Sequence, residues 1–492
     1  MLPMVRSHQQ YQSFVEQQLR IHYGNGALLF VAKDWSLVKK FWITDLSDTF
    51  LLLDESFSCR GPKSIDPADL LRSYLLMLQV REPSITEWVN QLRRCPLYAI
   101  LSGFEYGKTP GVGTFYDFFT RLWSHTSVNL SPKLRLNRKK LKGGKKGQKA
   151  PTKAYSKIAN LMAQLQKRSA TKPQPFDRLL GLFQQQFLTL SASLGLLGDT
   201  SALSIAGDGT PLQTATQVRN RRLCNCRELG IEPCRCYRFY SQPDCDMGWD
   251  SYRNRYFFGY HLYTLVAADS PYDLPLYPRL QRASRHDATS WVVSAREFAV
   301  RFRDYTWDKA LLDAAHDALP IYEYLHARNV KPFIDWNPRS TGNKGVQKDD
   351  ITFSPTGVPF CKKGLEMKDR GYDYTRGRRK YYCPLVVKGV VTCDTPCSDS
   401  PYGRCVHTYT KHNPRLFPPV ARNSNEWNDV YKRRTTCERS NKRAKEDFLL
   451  EAAKHRSTMM WTIRIYGIAM CQHMDAWFQE STLDLSSLLL SA

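Results

Sequence analysis

No run of about 18 apolar residues occurs anywhere in the 492-residue sequence, so a membrane-spanning helix is not expected. The first residues, MLPMVRSHQQYQSF, lack the apolar stretch of a secretory signal, so export is not expected either. No internal repeat is visible, which argues against a repeat architecture. Negative charge is scarce: 46 Asp and Glu stand against 71 Lys and Arg, for a net charge of +25. A chain this basic is drawn to polyanions, and nucleic acid is the expected partner. The cations are spread over many segments, so a single basic tail does not account for them. Without export, the 14 cysteines are not expected to pair as disulfides; metal binding or buried thiols in a reducing cytoplasm are the expected uses. The length allows two to four domains, each with its own core.

What is present divides the chain into segments. Residues 1–130 read as helical. YQSFVEQQL suggests a short helix. Asp66-Pro67-Ala68-Asp69 is a helix start, with an N-cap, Pro at the first helical position and an acid in the first turn. Ser84-Ile85-Thr86-Glu87 fits a capping box for a second helix ending near Pro96, and Thr114 opens a third. Such a set suits either a small DNA-binding module or an all-α packing domain. Residues 131–157 are rich in Lys, Arg and Gly and read as a flexible basic linker. Helical patterns follow at about 155–168 and 176–194.

Residues 158–337 carry strand and helix signals in turn. LSIAGDGTPL reads as a strand ending in Asp208. YFFGYHLYTLVAAD (256–269) reads as one or two strands, and LPLYPRLQRAS as another. A helix from Asp287 to about Arg303, the strand KALLDAAHD ending in Asp313, a helix from Ala318 to Arg328 and the strand VKPFIDW complete the series. Strands first and β-α-β alternation afterwards predict an α/β fold, a mixed sheet with helices on its faces. Residues 338–425, rich in Gly, Pro, Cys and Tyr, look like a β-rich insertion. Helical patterns return over 426–480.

The stretch YKRRTTCERSNKRAK (431–445) draws attention. In one continuous helix, Tyr431, Arg434, Glu438 and Lys445 would share a face. A single carboxylate stands there among Arg434, Arg439, Lys442 and Arg443. It reads either as a metal ligand inside a phosphate-binding surface or as part of a solvated basic face. Asp208 and Asp313, at expected strand ends, supply two further carboxylates. Three such groups can hold two hard cations about 4 Å apart, an arrangement suited to phosphodiester chemistry.

These residues carry a resemblance. Tyr431-(2)-Arg434-(3)-Glu438-(6)-Lys445 is similar to the Tyr-Arg-Glu-Lys signature of insertion-sequence transposases of the DDE class, which have a ribonuclease H-like catalytic core. AGDGTPL around Asp208, LLDAAHDALPIYEYLHARNVKPFIDWN around Asp313, and DPADLLRSYLL with TPGVGTFYDFFTRLW near the N-terminus resemble other parts of that family. The resemblance implies that Asp208, Asp313 and Glu438 bind two Mg²⁺ (or Mn²⁺). It implies that Tyr431, Arg434 and Lys445, with Arg439 and Lys442 beside them, contact DNA. It implies strand hydrolysis followed by attack of a 3′-hydroxyl on target DNA. The partners would be double-stranded DNA (the terminal inverted repeats and the target) and a second copy of the chain on paired ends, in a prokaryotic cytoplasm. A silent DNA-binding descendant and a ribonuclease H-like nuclease without strand transfer are the alternatives. An aromatic in the insertion could support a flipped base; Trp336, Tyr381 and Trp427 are candidates, with core packing the competing use of each.

The cysteines stand apart from this resemblance. Cys224-Asn-Cys226 and Cys234-Arg-Cys236 lie in the loop 222–247, with Cys245 nearby, and four thiolates at that spacing could hold a structural Zn²⁺. A second group is Cys361, Cys383, Cys393, Cys397 and Cys405 with His407 and His412. Cys437 points away from the Glu438 face and is read as packing. His316 could approach Asp313, and His286-Asp287 suggests a helix cap; a structural use is expected of each.

Overall fold

The computed structural model describes the chain except residues 1, 25, 27–28, 59, 62, 124–133, 137–156, 168–171, 216–219, 241, 243, 338–350, 388–389, 423, 486–487 and 489–492. Most of the expected basic linker, 131–157, therefore lies outside the described residues. Of it, Leu134–Leu136 forms a strand paired with Tyr237–Phe239, and Lys157 opens the helix Lys157–Gln166.

Two of the N-terminal helices begin where their caps predict, whereas the third, expected to open at Thr114, starts at Val112 after Gly111 and has no side-chain cap. Asp66 accepts a hydrogen bond from the Ala68 amide at 2.9 Å and starts α1 (Pro67–Gln79). Ser84 accepts from the Glu87 amide at 3.3 Å and starts the helix Ile85–Arg94. Pro96 ends that helix by opening another, Pro96–Leu101, as proline at a first helical position can. The helix His8–Tyr23 is longer than the expected YQSFVEQQL, and Ala32–Ile43, where no clear period is visible, is also helical.

The central sheet is built from residues 203–334. β1 (Leu203–Gln213), β2 (Arg255–Ala267) and β3 (Pro275–Arg282) run antiparallel. The helix α2 (Asp287–Arg301) then crosses over to β4 (Trp307–Leu312), and α3 (Leu319–His326) crosses to β5 (Lys331–Ile334). Both β4 and β5 pair in parallel, giving the order β3-β2-β1-β4-β5. A short strand, Asp246–Asp250, pairs with the beginning of β2. This is the expected mixed sheet flanked by helices, with a helical N-terminal region, and it is consistent with a ribonuclease H-like core.

Two departures concern the sheet and the stretch at 431–445. Asp208 is not at the end of β1, which continues to Gln213, because β1 keeps its antiparallel partner β2 past the point where β4 stops. The helix expected over Tyr431–Lys445 is also interrupted. A helix Asn425–Tyr431 tightens into a 3₁₀ turn, Lys432–Arg434, before α4 (Thr435–Glu446). Tyr431 thus ends one helix while Glu438 and Lys445 ride on the next, and Arg434 between them still touches both Tyr431 and Glu438.

The last helix, α5 (Thr458–Glu480), is covered on all sides from Met460 to Met474, its Arg464, Gln472 and His473 included. It packs on α1 and on β3. Through it, Tyr11, Leu75 and Phe119 join Leu182, Leu276 and Trp461 in one continuous core. The insertion, seen from residue 351, contributes short strands, among them Lys368–Asp373, Arg378–Tyr382 and Cys405–Tyr409 in a three-stranded sheet. It is fastened by Arg415, which donates to Asp317 at 2.8 and 2.5 Å with both side chains fully buried.

α1 and α5 approach closely at Gly467, where a Cβ would stand 2.7 Å from Leu78 and 2.8 Å from Tyr74. Gly467→Leu is expected to lower stability by about 2 kcal/mol or more through overpacking. Guanidinium unfolding of the variant beside the parent checks this.

Candidate active site

The site is built by strand register. β1 and β4 are parallel partners through Ala206 and Leu311, the last paired rung. Asp208 and Asp313 each lie two residues beyond that rung. Two residues is one strand repeat, so both project toward the face that carries Ala206 and Leu311. That face is covered by Trp427, Val430 and Cys437 of the helices before and within α4. Glu438 follows Cys437 directly. The three carboxylates so come from two strands and a helix laid over one face of the sheet.

Burial makes the neighbourhood of the two aspartates costly. Asp208 is pushed up from the usual 3.8 to about 7, first by burial and then by the negative charges of Asp313 and Asp287. Burial would raise Asp313 as well. The hydrogen bond and charge of His316 outweigh it, with help from Arg434, and hold Asp313 below the ordinary carboxylate value. His316 is fully buried; its Nδ1 lies 2.5 Å from Asp313 Oδ1 and its Nε2 lies 2.8 Å from the Tyr263 hydroxyl. Beside it His261 Nε2 approaches Asp287 Oδ1 at 2.9 Å.

Sequence reading passed over this network, apart from noting His316 and the cap at His286. The signal for it was the pair of glycines around Asp208. A Cβ on Gly207 would meet the Tyr263 hydroxyl at 2.7 Å, and one on Gly209 would run into His261 and Asp287. Glycine inside a strand marks such a close approach. His286 does cap α2, accepting from the Ala288 amide at 3.2 Å.

The basic stretch around Glu438 is less bare than its sequence suggests. Arg434 binds Glu438 at 2.7 Å, and its charge also reaches Asp208 and Asp313. Arg433 pairs with Asp269, Arg439 with Asp273 at 2.8 and 2.6 Å, and Arg443 with Asp475 at 3.1 Å. The acids that balance the stretch come from elsewhere in the chain. Lys445 donates to the Pro211 carbonyl at 2.7 Å, while Lys442 is exposed, with Glu446 at 3.7 Å. Tyr431 stacks on Trp427 with ring centres 4.3 Å apart and lies 5.8 Å from the Arg434 guanidinium. Of the aromatic candidates, Tyr381 and Trp427 are buried in core clusters, and Trp336 lies beneath Arg415, 4.0 Å from its ring centre.

The donor chemistry of Asp208 and Asp313 fits a hard divalent cation: two carboxylates, partly desolvated and mutually repelling, are relieved by one. Glu438 stands on the same side with its carboxylate engaged by Arg434. Among the described residues, only Cys224, Cys226, Cys234 and Cys236 bring three or more metal-ligating atoms within 4.8 Å of one another. Sulfur atoms of Cys224 and Cys234, and of Cys226 and Cys236, are 3.5 Å apart. A tetrahedral zinc thiolate site needs about 3.8 Å, so this cluster could hold Zn²⁺. Hydrogen bonds from the Cys236 amide and from Cys224 pull the Cys234 thiol down to about 7. Cys245 stays out of the cluster, buried against Thr214. The second group, Cys361 through His412, is not gathered. Among the described residues no three of its ligating atoms come within 4.8 Å of one another, although Lys363 stands near both Cys361 and Cys393 and Cys405 Sγ lies 4.0 Å from His407 Nε2. Cys437 is buried packing, as expected.

Two outcomes follow. The fold favours the protonated form of Asp208, so this contribution to stability is full below pH 3.8 and is lost as pH rises through about 7. Without divalent cation, Asp208→Asn should therefore be more stable than the parent by about 2–4 kcal/mol at pH 8 and not at pH 4. Thermal unfolding at the two pH values reads the difference. For the cysteine cluster, elemental analysis of purified protein should give about one zinc per chain, falling to near zero in Cys226→Ser.

No helix among the described residues is long and apolar enough to cross a membrane. Among curated proteins, none matches the chain by sequence. The family described as the transposase DDE domain matches residues 205–473, more than half of the chain, from β1 through Asp208, Asp313 and Glu438 into α5. That family implies DNA as partner, a DNA-cleaving enzyme activity and divalent metal ions. With its mixed sheet, its crossover helices and this match over more than half of its length, the chain belongs to the insertion-sequence transposases of the DDE class.

Proposed function

We propose that this protein binds the ends of its own mobile element and catalyses metal-dependent phosphodiester hydrolysis and strand transfer, in the manner of cut-and-paste transposition. The observation that carries the reading is the shared register of Asp208 and Asp313 beyond the last β1–β4 rung, beneath the helix that bears Glu438. In this reading Asp208, Asp313 and Glu438 hold two Mg²⁺ or Mn²⁺ ions. Bound there, such ions supply positive charge for an attacking oxygen and for the leaving oxygen.

The chain's own residues do the rest. His316, braced by Tyr263, fixes one oxygen of Asp313 and leaves the other directed elsewhere. Arg434 brings a guanidinium beside the acids, where a phosphate can be met by a fork of N–H donors. Tyr431, Lys442 and Lys445 flank that position, and Arg439 braces the helix through Asp273. The net charge of +25 favours association with DNA along its backbone, and that association should weaken with salt. The partners are the terminal inverted repeats, the target DNA and a second copy of the chain holding paired ends. The four-cysteine loop serves as a zinc-stabilised structural element, and the protein works on DNA in a prokaryotic cytoplasm.

The test uses a plasmid carrying the element's own ends, with Mg²⁺. Glu438→Gln should cut at least about 100-fold more slowly than the parent, since several kcal/mol of charge stabilisation are lost. Joining of pre-cut ends to a target plasmid should be lost with it. Cutting at the parental rate in Glu438→Gln would remove Glu438 from the site, and efficient cutting by the parent without joined product would leave a nuclease.

A further inference from the structure

The face of the sheet that carries Asp208 does not end under α4. Asp208 pairs with Thr264 of β2, and every second residue back along that strand, Leu262, Tyr260, Phe258 and Tyr256, shares its side. α4 covers the first of these, with Asn441 and Ala444 against Thr264 and Leu262. The start of α5 covers Tyr260, whose hydroxyl lies 2.9 Å from Thr458 Oγ1. Beyond it the face opens: Phe258 is half-buried and Tyr256 is 71% exposed.

The strand Asp246–Asp250 continues this open face. Met247 pairs with Phe258 and Trp249 with Tyr256, so the four side chains form one row. Trp249 is 51% exposed and meets the Tyr256 ring edge-on, with centres 4.8 Å apart. Tyr252, in the turn between the two strands, is 96% exposed. The opposite side of the hairpin is packed: Gly248, Asp250 and Phe257 are buried, and a Cβ on Gly248 would stand 2.8 Å from Ala283. Three large aromatic side chains held in water by a hairpin whose other side is fixed mark an interaction surface.

Charge and alignment point to the partner. Both carboxylates of the hairpin alternate away from the row and are engaged: Asp250 accepts from the amides of Tyr252 and Arg253 at 3.1 Å each, and Asp246 from the Ser284 hydroxyl at 2.8 Å. Arg253 and Arg255, chain neighbours of Tyr252 and Tyr256, are exposed. The row is also in line with the candidate active site. α4 carries Glu438 over the face of the aspartates and Lys445 at the Pro211 carbonyl. The turn after α4 brings Glu451 to the Gln213 amide at 2.9 Å, with Lys445 at 4.0 Å and Arg253 of the hairpin at 3.5 Å. Glu438, Lys445 and the hairpin thus follow one another along β1 and β2. The step from Thr264 to Tyr256 spans about 26 Å of strand, the length of about eight base pairs of duplex.

An aromatic row with arginines beside it, in line with a basic helix and a carboxylate site, suits a polyanion that also offers flat groups. Double-stranded DNA is such a partner, since its grooves admit side-chain wedges between contacts to phosphate. We propose that the hairpin 246–256 grips duplex DNA about eight base pairs from the position cut at Asp208, Asp313 and Glu438. Trp249, Tyr252 and Tyr256 meet a groove, while Arg253 and Arg255 meet phosphates. The inference deepens the transposase reading and rests on it for the course of the DNA, but the binding it describes needs no cutting.

Anisotropy titration of the full chain, without divalent cation, measures affinity for a labelled duplex that carries an element end and runs past the cut on both sides. Trp249→Ala/Tyr252→Ala should bind at least about tenfold more weakly than the parent, the loss expected of an aromatic anchor. Tyr252→Ala alone should bind about threefold more weakly or worse. Thermal unfolding verifies that both variants fold; if the double variant does not, the fully exposed Tyr252 carries the test alone. A benzophenone side chain in place of Tyr256 should attach, under light, about eight base pairs from the cut. Undiminished affinity in folded variants overturns the proposal, as does attachment at the cut itself or none at all. So does loss of self-association in the variants, by sedimentation, with duplex affinity kept, which would make the row a contact between copies of the chain. Hairpin-dependent binding by a parent that never cuts supports this surface and counts against the cutting reading alone.

Discussion

Two aspartates placed side by side in a half-dry pocket repel one another, and much of this structure serves to keep them there. The repulsion and the burial together lift Asp208 to about 7. Opposing forces come from below and from the side. His316 grips Asp313 from within the core, Tyr263 backs His316, and the glycines at 207 and 209 let these side chains reach the strand. Arg434 adds positive charge from the covering helix. A carboxylate pair of this kind is poor for the stability of the empty fold and well suited to a cation, the usual conflict between function and stability at a site.

The helix over that site is positioned by ion pairs that reach across the chain. Asp269 and Asp273, in the turn between β2 and β3, take Arg433 and Arg439, while Asp475 of α5 takes Arg443. Several of these pairs are half exposed, so each contributes little to stability by itself. Their effect is geometric: they set the rotation of α4, and with it the side on which Glu438 lies. The insertion is tied in the same region by a different device. Asp317, four residues after Asp313, is fully buried with Arg415, and removing either partner would strand a buried charge. The turn that carries Asp313 is thus also the turn that holds the insertion.

α5 explains why the N-terminal helices and the sheet form one body of apolar contacts. Its run from Met460 to Met474 is buried throughout because α1 lies against one side and β3 against another. With Trp461, Ile465 and Ile468 on one side and Ile463 and Met470 on the opposite one, the helix has no stable solvent-facing arrangement, so its two neighbours are obligatory.

Sequence alone determined the parts of this protein that depend on local chemistry. The caps at Asp66 and Ser84, the strands around Asp208 and Asp313, the helices after Asp287 and Ala318 and the paired cysteines at 224–236 were legible because capping, period and ligand spacing act over a few residues. Resemblance in the ordered acids pointed to the family. Tertiary structure decided what depends on partners distant in the chain. That Asp208 lies within its strand follows from β2 outlasting β4 as a neighbour. That the basic stretch at 431–445 is largely neutralised follows from acids 32 to 166 residues away in sequence, a distance over which composition carries no information. That the four thiols of the loop converge follows from the antiparallel pairing of Asn220–Arg222 with Tyr237–Tyr240, which closes the loop beneath them. Register, burial and long-range charge pairing are properties of the assembled sheet, and no window of residues contains them.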